Sequence, residues 1–153
     1  MRTALLVCGI LGPLLYGAAD GIAGSRWEGY SFRDMTVSEL GAIGAPTQAL
    51  FSRLVLAVYA LLLVFGVGVW RAAASRVRLR AVGAFGRGFR LYSIVSMIVL
   101  VGFAARSGAI AARPGEGLST PWLGVVERFS FYSYQVWFLV LAVKLLREPA
   151  TTP

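Results

Sequence analysis

Three carboxylates stand where a polar site at a membrane surface would place them. Asp34 and Glu39 lie in a segment rich in aromatics and glycine, and Glu127 lies a few residues into an apolar stretch. A carboxyl group whose pKa is raised by burial can act as a general acid or base. The groups that usually accompany such chemistry are missing. There is no histidine, and the one cysteine, Cys8, sits inside an apolar run. An internal disulfide and a thiolate metal cluster are therefore impossible, and the commonest general base is absent. No phosphate loop, nucleophile elbow, Ser-x-x-Lys pair or metal motif occurs, so no catalytic residue, metal or cofactor is assigned. A membrane-embedded enzyme using Asp34, Glu39 or Glu127 ranks below the non-enzymatic readings.

Other charges share the layer that Glu127 occupies. Pro46 and Pro121 each fall where a first helical turn begins, and Thr120 is suited to cap the second of these. Counted from those starts, Arg53 and Glu127 lie roughly 9–10 Å along their helices at a rise of about 1.5 Å per residue. Asp20 is near the outer end of the first apolar segment. Ionised groups in spanning segments are costly and usually face the bundle interior in pairs. The expectation is that Glu127 pairs with Arg53 and that Arg128 reaches Asp20 or the loop acids. Arg33, Asp34, Ser38 and Glu39 would complete an outward-facing polar cluster. Two blander alternatives stand beside this. The charges snorkel to headgroups independently, and Glu39 simply caps a short helix starting at Thr36 and stopping near Gly41, since Thr36 and Glu39 have capping-box spacing. Tyr132, Tyr134 and Trp137 read as bundle packing rather than a ligand cage. Pro13 marks a place in the first span where a carbonyl loses its partner.

The elements that must position these groups are apolar spans. The chain of 153 residues is 58% hydrophobic and 14% charged, against about 25% charged for a soluble domain. Uncharged cores run from Thr3 to Ala19, Leu54 to Trp70, Leu91 to Ala105 and Phe129 to Val143. Each falls short of the roughly 20 residues that cross about 30 Å of hydrocarbon. The flanks extend them: Arg71, Arg90, Arg106 and Lys144 can snorkel, and Trp27, Tyr30, Trp70, Tyr92 and Trp122 suit the interface. The expected fold is all-α, a single polytopic membrane domain over residues 1–153 forming a four-transmembrane-helix bundle. Its expected spans are about 3–24, 47–70, 90–106 and 121–146, with outer loops 25–46 and 107–120 and a basic loop 71–89. The first segment has a second reading as a signal peptide, from Met1-Arg2 and the small residues Gly17-Ala18-Ala19. Cleavage would leave three spans and put the C-terminal cations on the wrong side, so a retained span is preferred.

Orientation follows from the arginines. Arg71, Arg76, Arg78, Arg80, Arg87 and Arg90 crowd between the second and third spans, which places that loop and both termini in the cytoplasm. Arg2, Lys144 and Arg147 join them against Glu148 alone. The outer side then holds Arg26, Arg33, Arg53, Arg106, Arg113 and Arg128 with Asp20, Glu28, Asp34, Glu39, Glu116 and Glu127. This partition leaves the whole formal charge of +8 on the inner side. The loop arginines are expected on anionic inner-leaflet headgroups rather than nucleic acid. Arginine almost to the exclusion of lysine, with abundant Ala, Gly and Val, fits a GC-rich bacterial genome and hence a bacterial plasma membrane.

Three stretches resemble an uncharacterised family of prokaryotic membrane proteins, the domain of unknown function 998. The first is Gly29-Tyr30-Ser31, Asp34 and Val37-Ser38-Glu39-Leu40-Gly41-Ala42, followed by Pro46. The second is Phe85-Gly86-Arg87-Gly88-Phe89-Arg90-Leu91-Tyr92-Ser93-Ile94. The third is Thr120-Pro121-Trp122-Leu123-Gly124-Val125-Val126-Glu127-Arg128, with Trp137 and Leu145-Leu146-Arg147. The resemblance implies a helical membrane fold. Such relatives generally have six spans, with a histidine-bearing middle hairpin. Here Ala81-Val82-Gly83 runs straight into Phe85, so the chain resembles a shortened member without that hairpin. The function expected is that of a non-enzymatic integral membrane protein, binding lipid or a membrane partner through the outer loop and the shallow charged layer. A homo-oligomer fits that reading. The alternative is a subunit of a transporter or channel, in which four short spans hold a polar path only by oligomerising.

Overall fold

A computed structural model describes residues 2–74, 86–111 and 121–147, without the side chains at 72–74, 104 and 107–111. Arg76, Arg78 and Arg80, the N-cap proposed at Thr120, Arg113, Glu116 and Glu148 lie outside the described residues. The described chain forms α1 (Arg2–Arg26), a single 3-10 turn (Ser38–Gly41), α2 (Gln48–Ala74), α3 (Gly86–Ala111) and α4 (Leu123–Arg147). All four α-helices are long and apolar enough to cross a membrane. The protein is a multi-pass, all-α membrane protein.

The sequence makes α1 the central helix, because its glycines let neighbours approach closely. A Cβ on Gly9 would come within 2.6 Å of the Phe65 ring, and one on Gly12 within 3.0 Å of Leu62. From the other side, Gly68 of α2 admits Leu5, whose Cβ lies 2.8 Å from where a side chain would begin. Small residues at such crossings are how membrane helices gain dispersion contacts without a hydrophobic driving force. α1 thus packs antiparallel on α2 and, along its other flank, antiparallel on α4. The two meet at opposite ends of α1, with Asp20 bonded to Arg128 and Arg2 to the Leu145 carbonyl. α3 packs along α4 through stacked Phe103 and Phe129, 5.2 Å apart. Two cross-helix bonds join them, Ser130 Oγ to the Leu100 carbonyl at 3.2 Å and Trp137 Nε1 to Ser93 Oγ at 3.0 Å.

Two apolar clusters result. Tyr16, Ala19, Ala23, Phe51 and Val58 gather around Val37 and Leu40 of the loop, while Leu6, Phe65, Ala142 and Leu145 fill the opposite half. Facing outward are Leu56, Leu63, Val67 and Trp70 of α2 and Leu91, Ile94, Met97, Ile98 and Val101 of α3. That extent of exposed apolar surface belongs against hydrocarbon. The described acids are sorted by end, whereas the described cations occupy both, with Arg26, Arg33, Arg53, Arg106 and Arg128 at the loop end. Among the described residues, Arg2, Arg71, Arg87, Arg90, Lys144 and Arg147 share the end away from the loop. Every described acid (Asp20, Glu28, Asp34, Glu39 and Glu127) lies at the loop end.

Candidate functional site

The segment between α1 and α2 holds one turn of regular structure, so its backbone must find partners elsewhere. Gly29 turns the chain at a φ of +81°. Ser31 and Asp34 then close a tight turn: the Ser31 hydroxyl donates to Asp34 Oδ2 at 3.0 Å, and the Asp34 N–H donates to Ser31 Oγ at 3.2 Å. Next comes the capping box. The Thr36 N–H and hydroxyl both donate to Glu39 Oε2, and the Glu39 N–H returns to Thr36 Oγ1 at 3.2 Å. The helix expected from Thr36 to Gly41 is a 3-10 turn at Ser38–Gly41, and Thr36 and Glu39 exchange these bonds at its start. Val37 and Leu40 project from this turn into the core.

Arg128 reaches out of α4 into that loop. Its Nε and Nη2 take the two oxygens of Asp20 at 2.9 and 2.8 Å, a two-pronged ion pair with 12% and 3% of the side chains exposed. Nη2 also donates to the Tyr30 hydroxyl oxygen at 2.8 Å. Nη1 donates to the carbonyls of Phe32 at 2.7 Å, Met35 at 3.1 Å and Gly124 at 3.3 Å. The guanidinium lies over the rings of Phe32 and Tyr30, 5.0 and 5.7 Å from their centroids. Asp20 completes its shell with the Tyr132 hydroxyl, which donates at 2.7 Å. A buried ion pair is tolerable only when the remaining protons and lone pairs are satisfied like this. Tyr30 passes the chain on, donating to the Thr36 carbonyl at 2.7 Å. Burial raises the Tyr30 pKa, although Arg128 pulls it the other way, so the phenol stays protonated and remains a donor.

Glu127, the next residue on α4, accepts from the Val37 N–H and from the Ser38 hydroxyl at 2.6 Å. The expected Glu127–Arg53 pair is absent. Phe51, Val58 and Phe65 claim the inward face of α2, which turns Arg53 outward, where it is exposed and meets no partner among the described residues. Glu127 instead satisfies a backbone donor at the start of the 3-10 turn, a group that has no intrahelical partner.

Beside the clamp lies a surface cluster. Arg33 Nε donates to both Asp34 oxygens, at 3.0 and 3.1 Å. The Trp122 N–H donates to Asp34 Oδ1 at 3.1 Å, and the Val125 N–H to the Arg33 carbonyl at 3.1 Å. Arg33 and then the Trp122 N–H hold the Asp34 carboxyl below its ordinary 3.8. Trp122 has a φ of +71°, an outlying conformation for so bulky a residue, at the point where the chain enters α4. Gly124 follows because nothing larger fits. A Cβ there would stand 2.8 Å from the Phe32 carbonyl and closer still to that of Met35.

Of the residues singled out from sequence, Asp20, Arg128, Asp34, Ser38, Glu39 and Glu127 converge on the loop, with Arg33 at its rim and Arg53 apart. Arg71, Arg87 and Arg90 are exposed at the other end, and Arg76, Arg78 and Arg80 lie outside the described residues. Sequence reasoning missed Tyr30, Tyr132, Trp122 and Gly124 as members. The Trp-Leu-Gly run behind Pro121 was the available signal. Each of Asp34, Glu39 and Glu127 serves a different piece of backbone. No group of three or more metal-ligating side chains occurs among the described residues. The arrangement clamps one loop across the ends of α1 and α4.

The family described as "Protein of unknown function (DUF998)" matches residues 10–88, more than half the chain. The chain belongs to this family. The match runs from α1 through the clamped loop and α2 to the first turn of α3, so it includes Asp20 and the loop acids. It ends before Glu127 and Arg128, and the resemblance around α4 lies beyond it. No curated protein and no solved structure matches the chain.

Proposed function

We propose that the protein is a non-enzymatic component of a bacterial plasma membrane whose clamped outer loop binds phospholipid headgroups. Its four spans form a bundle with both termini in the cytoplasm. The observation that carries this reading is how the charges at the loop end are used. Asp20, Glu39, Glu127 and Arg128 are consumed inside the fold. Facing outward are Arg26, Glu28, Arg53, Arg106 and Arg33, whose two Nη atoms have no acceptor among the described residues. Arg33 lies 5.5 Å from the exposed Trp122 ring, in a surface that also exposes Phe32 and, at 97%, Ile43. A guanidinium fork beside an amphipathic ring fits a phosphate at the hydrocarbon boundary. At the opposite end, Arg71, Arg87 and Arg90 suit anionic inner-leaflet lipid, and Arg76, Arg78 and Arg80 lie between them in the sequence. An enzyme would need one of Asp34, Glu39 or Glu127 to release its donors. The chain is best read as a shortened family member in which the basic loop replaces a hairpin.

Capture in mild detergent followed by lipid analysis tests the proposal. Wild-type protein should retain phospholipid that the Arg33→Ala/Trp122→Ala variant loses while keeping its thermal midpoint. Equal retention by the two would remove the basis for a headgroup site. Orientation is tested by an Arg78→Cys probe in a Cys8→Ser background. Labelling of intact cells by an impermeant thiol reagent would invert the assignment.

A further inference from the structure

The antiparallel register of α1 and α4 sets two incomplete polar groups against each other in the middle of the membrane. Asp20 pairs with Arg128. Seven residues inward along each helix come Pro13 and Gln135, and seven further come Leu6 and Ala142, which share one buried cluster. A seven-residue step returns to nearly the same helix face. Pro13 and Gln135 therefore face each other between an ion pair and an apolar contact, and both are buried.

Gln135 is 2% exposed, and neither its Nε2 nor its Oε1 makes a hydrogen bond of ordinary geometry within the protein, although its amide lies beside the Tyr134 hydroxyl. Pro13 lies inside α1 and has no N–H, so the Gly9 carbonyl loses its α-helical donor. Phe131, one turn to one side of Gln135, stacks on Tyr16 at 5.8 Å. Phe138, one turn to the other, meets Phe65 edge-on at 6.1 Å. These rings flank the site above and below. Buried amides and carbonyls left unpaired in hydrocarbon are strongly disfavoured. Proline is accepted in spanning helices where a neighbouring side chain or ordered water re-satisfies the freed carbonyl.

The geometry points to a binding site for one water molecule at the membrane midplane, accepting from Gln135 Nε2 and donating to the Gly9 carbonyl. The ligand must both accept and donate, and the Phe131 and Phe138 rings bound the site on either side. Water is the molecule with that chemistry, and buried waters typically join otherwise unsatisfied groups in this way. The site ties the proline break of α1 to α4, two helical turns below the Arg128 clamp.

Isotope-edited infrared spectroscopy of a carbonyl label at Gly9, in the full chain in nanodiscs, reads the bond directly. The wild-type band should lie at the hydrogen-bonded position and shift up in Gln135→Leu. Cross-relaxation between bulk water and the Gln135 side-chain amide protons should also be seen by NMR. An unbonded Gly9 band in the wild type overturns the site, as does a bonded band with no water transfer, which would mean a direct amide bond. A thermal cycle adds a check. Gln135→Leu should lower the midpoint by about 3 °C with Pro13 in place and not at all in a Pro13→Ala background, where residue 13 regains its N–H. Equal shifts in both backgrounds contradict the proposed link.

Discussion

Replacing Arg128 by methionine removes the donor set that joins α1, the loop and α4 while keeping most of the side chain's volume. Asp20, 3% exposed, would then hold a negative charge on the Tyr132 hydroxyl alone. Breaking a buried pair by deleting one partner costs about 3–5 kcal/mol, because the surviving charge is uncompensated. The carbonyls of Phe32 and Met35 also lose their donor. They lie near the surface and recover water, so they add at most about 1 kcal/mol each. The total, about 4 kcal/mol, corresponds to a fall of about 10 °C in the thermal midpoint for a chain of this size. Adding Asp20→Leu to Arg128→Met removes the stranded carboxylate and should return at least half of that loss, since an apolar pair of similar volume is often as stable as the ion pair it replaces. Thermal unfolding in nanodiscs, followed by intrinsic tryptophan fluorescence, measures both variants, and limited proteolysis of the outer loop reports whether it has come free. An Arg128→Met loss under about 1 kcal/mol, or a double variant no more stable than the single one, would refute the reasoning.

Three further outcomes are expected. Gly124→Ala should cost about 1–3 kcal/mol, as an overpacked site whose nearest atoms are backbone, and should raise protease sensitivity in the loop. Glu127→Gln should cost about 1.5–3 kcal/mol by weakening two hydrogen bonds to a charged acceptor, whereas Arg53→Gln should stay within about 0.5 kcal/mol; equal effects in the thermal assay would restore the Arg53 pairing. Because the folded-state pKa of Asp34 is depressed, its contribution to loop order is present above its ordinary 3.8 and is lost as pH falls through the lower folded value. Acid-side loosening of the loop, followed by proteolysis with an acid-active protease, should therefore occur in the wild type and be blunted in Asp34→Asn.

The spans were legible because hydropathy in blocks of this length has few competing explanations, and the arginine asymmetry sorted the two ends. The capping box was legible too, since Thr36 and Glu39 are three residues apart and interact locally. Legibility failed where partners are distant in sequence and depth is the only guide. Arg53 and Glu127 were placed at one level, but level does not specify azimuth, and the inward face of α2 was already taken by Phe51, Val58 and Phe65. Arg128 and Asp20 met because each lies on the buried face of its own helix. Tyr30 and Tyr132 carried no charge to draw attention, although their hydroxyls complete the pair. The proline break was visible at Pro13, but its neighbour Gln135 emerges only once the helix register is fixed.

Arginine serves two physical roles at the two ends of this protein. At Arg128 the guanidinium directs its protons in three directions: to a carboxylate, to a phenol and to backbone carbonyls. A lysine ammonium offers three protons from one point and cannot span acceptors on α1, the loop and α4 at once. The fork is therefore what allows a loop with a single turn of regular structure to be held rigidly at a membrane surface. Arg71, Arg87 and Arg90, by contrast, stand exposed at the opposite end. The same residue type is buried and fully bonded at Arg128 and exposed at Arg71, Arg87 and Arg90.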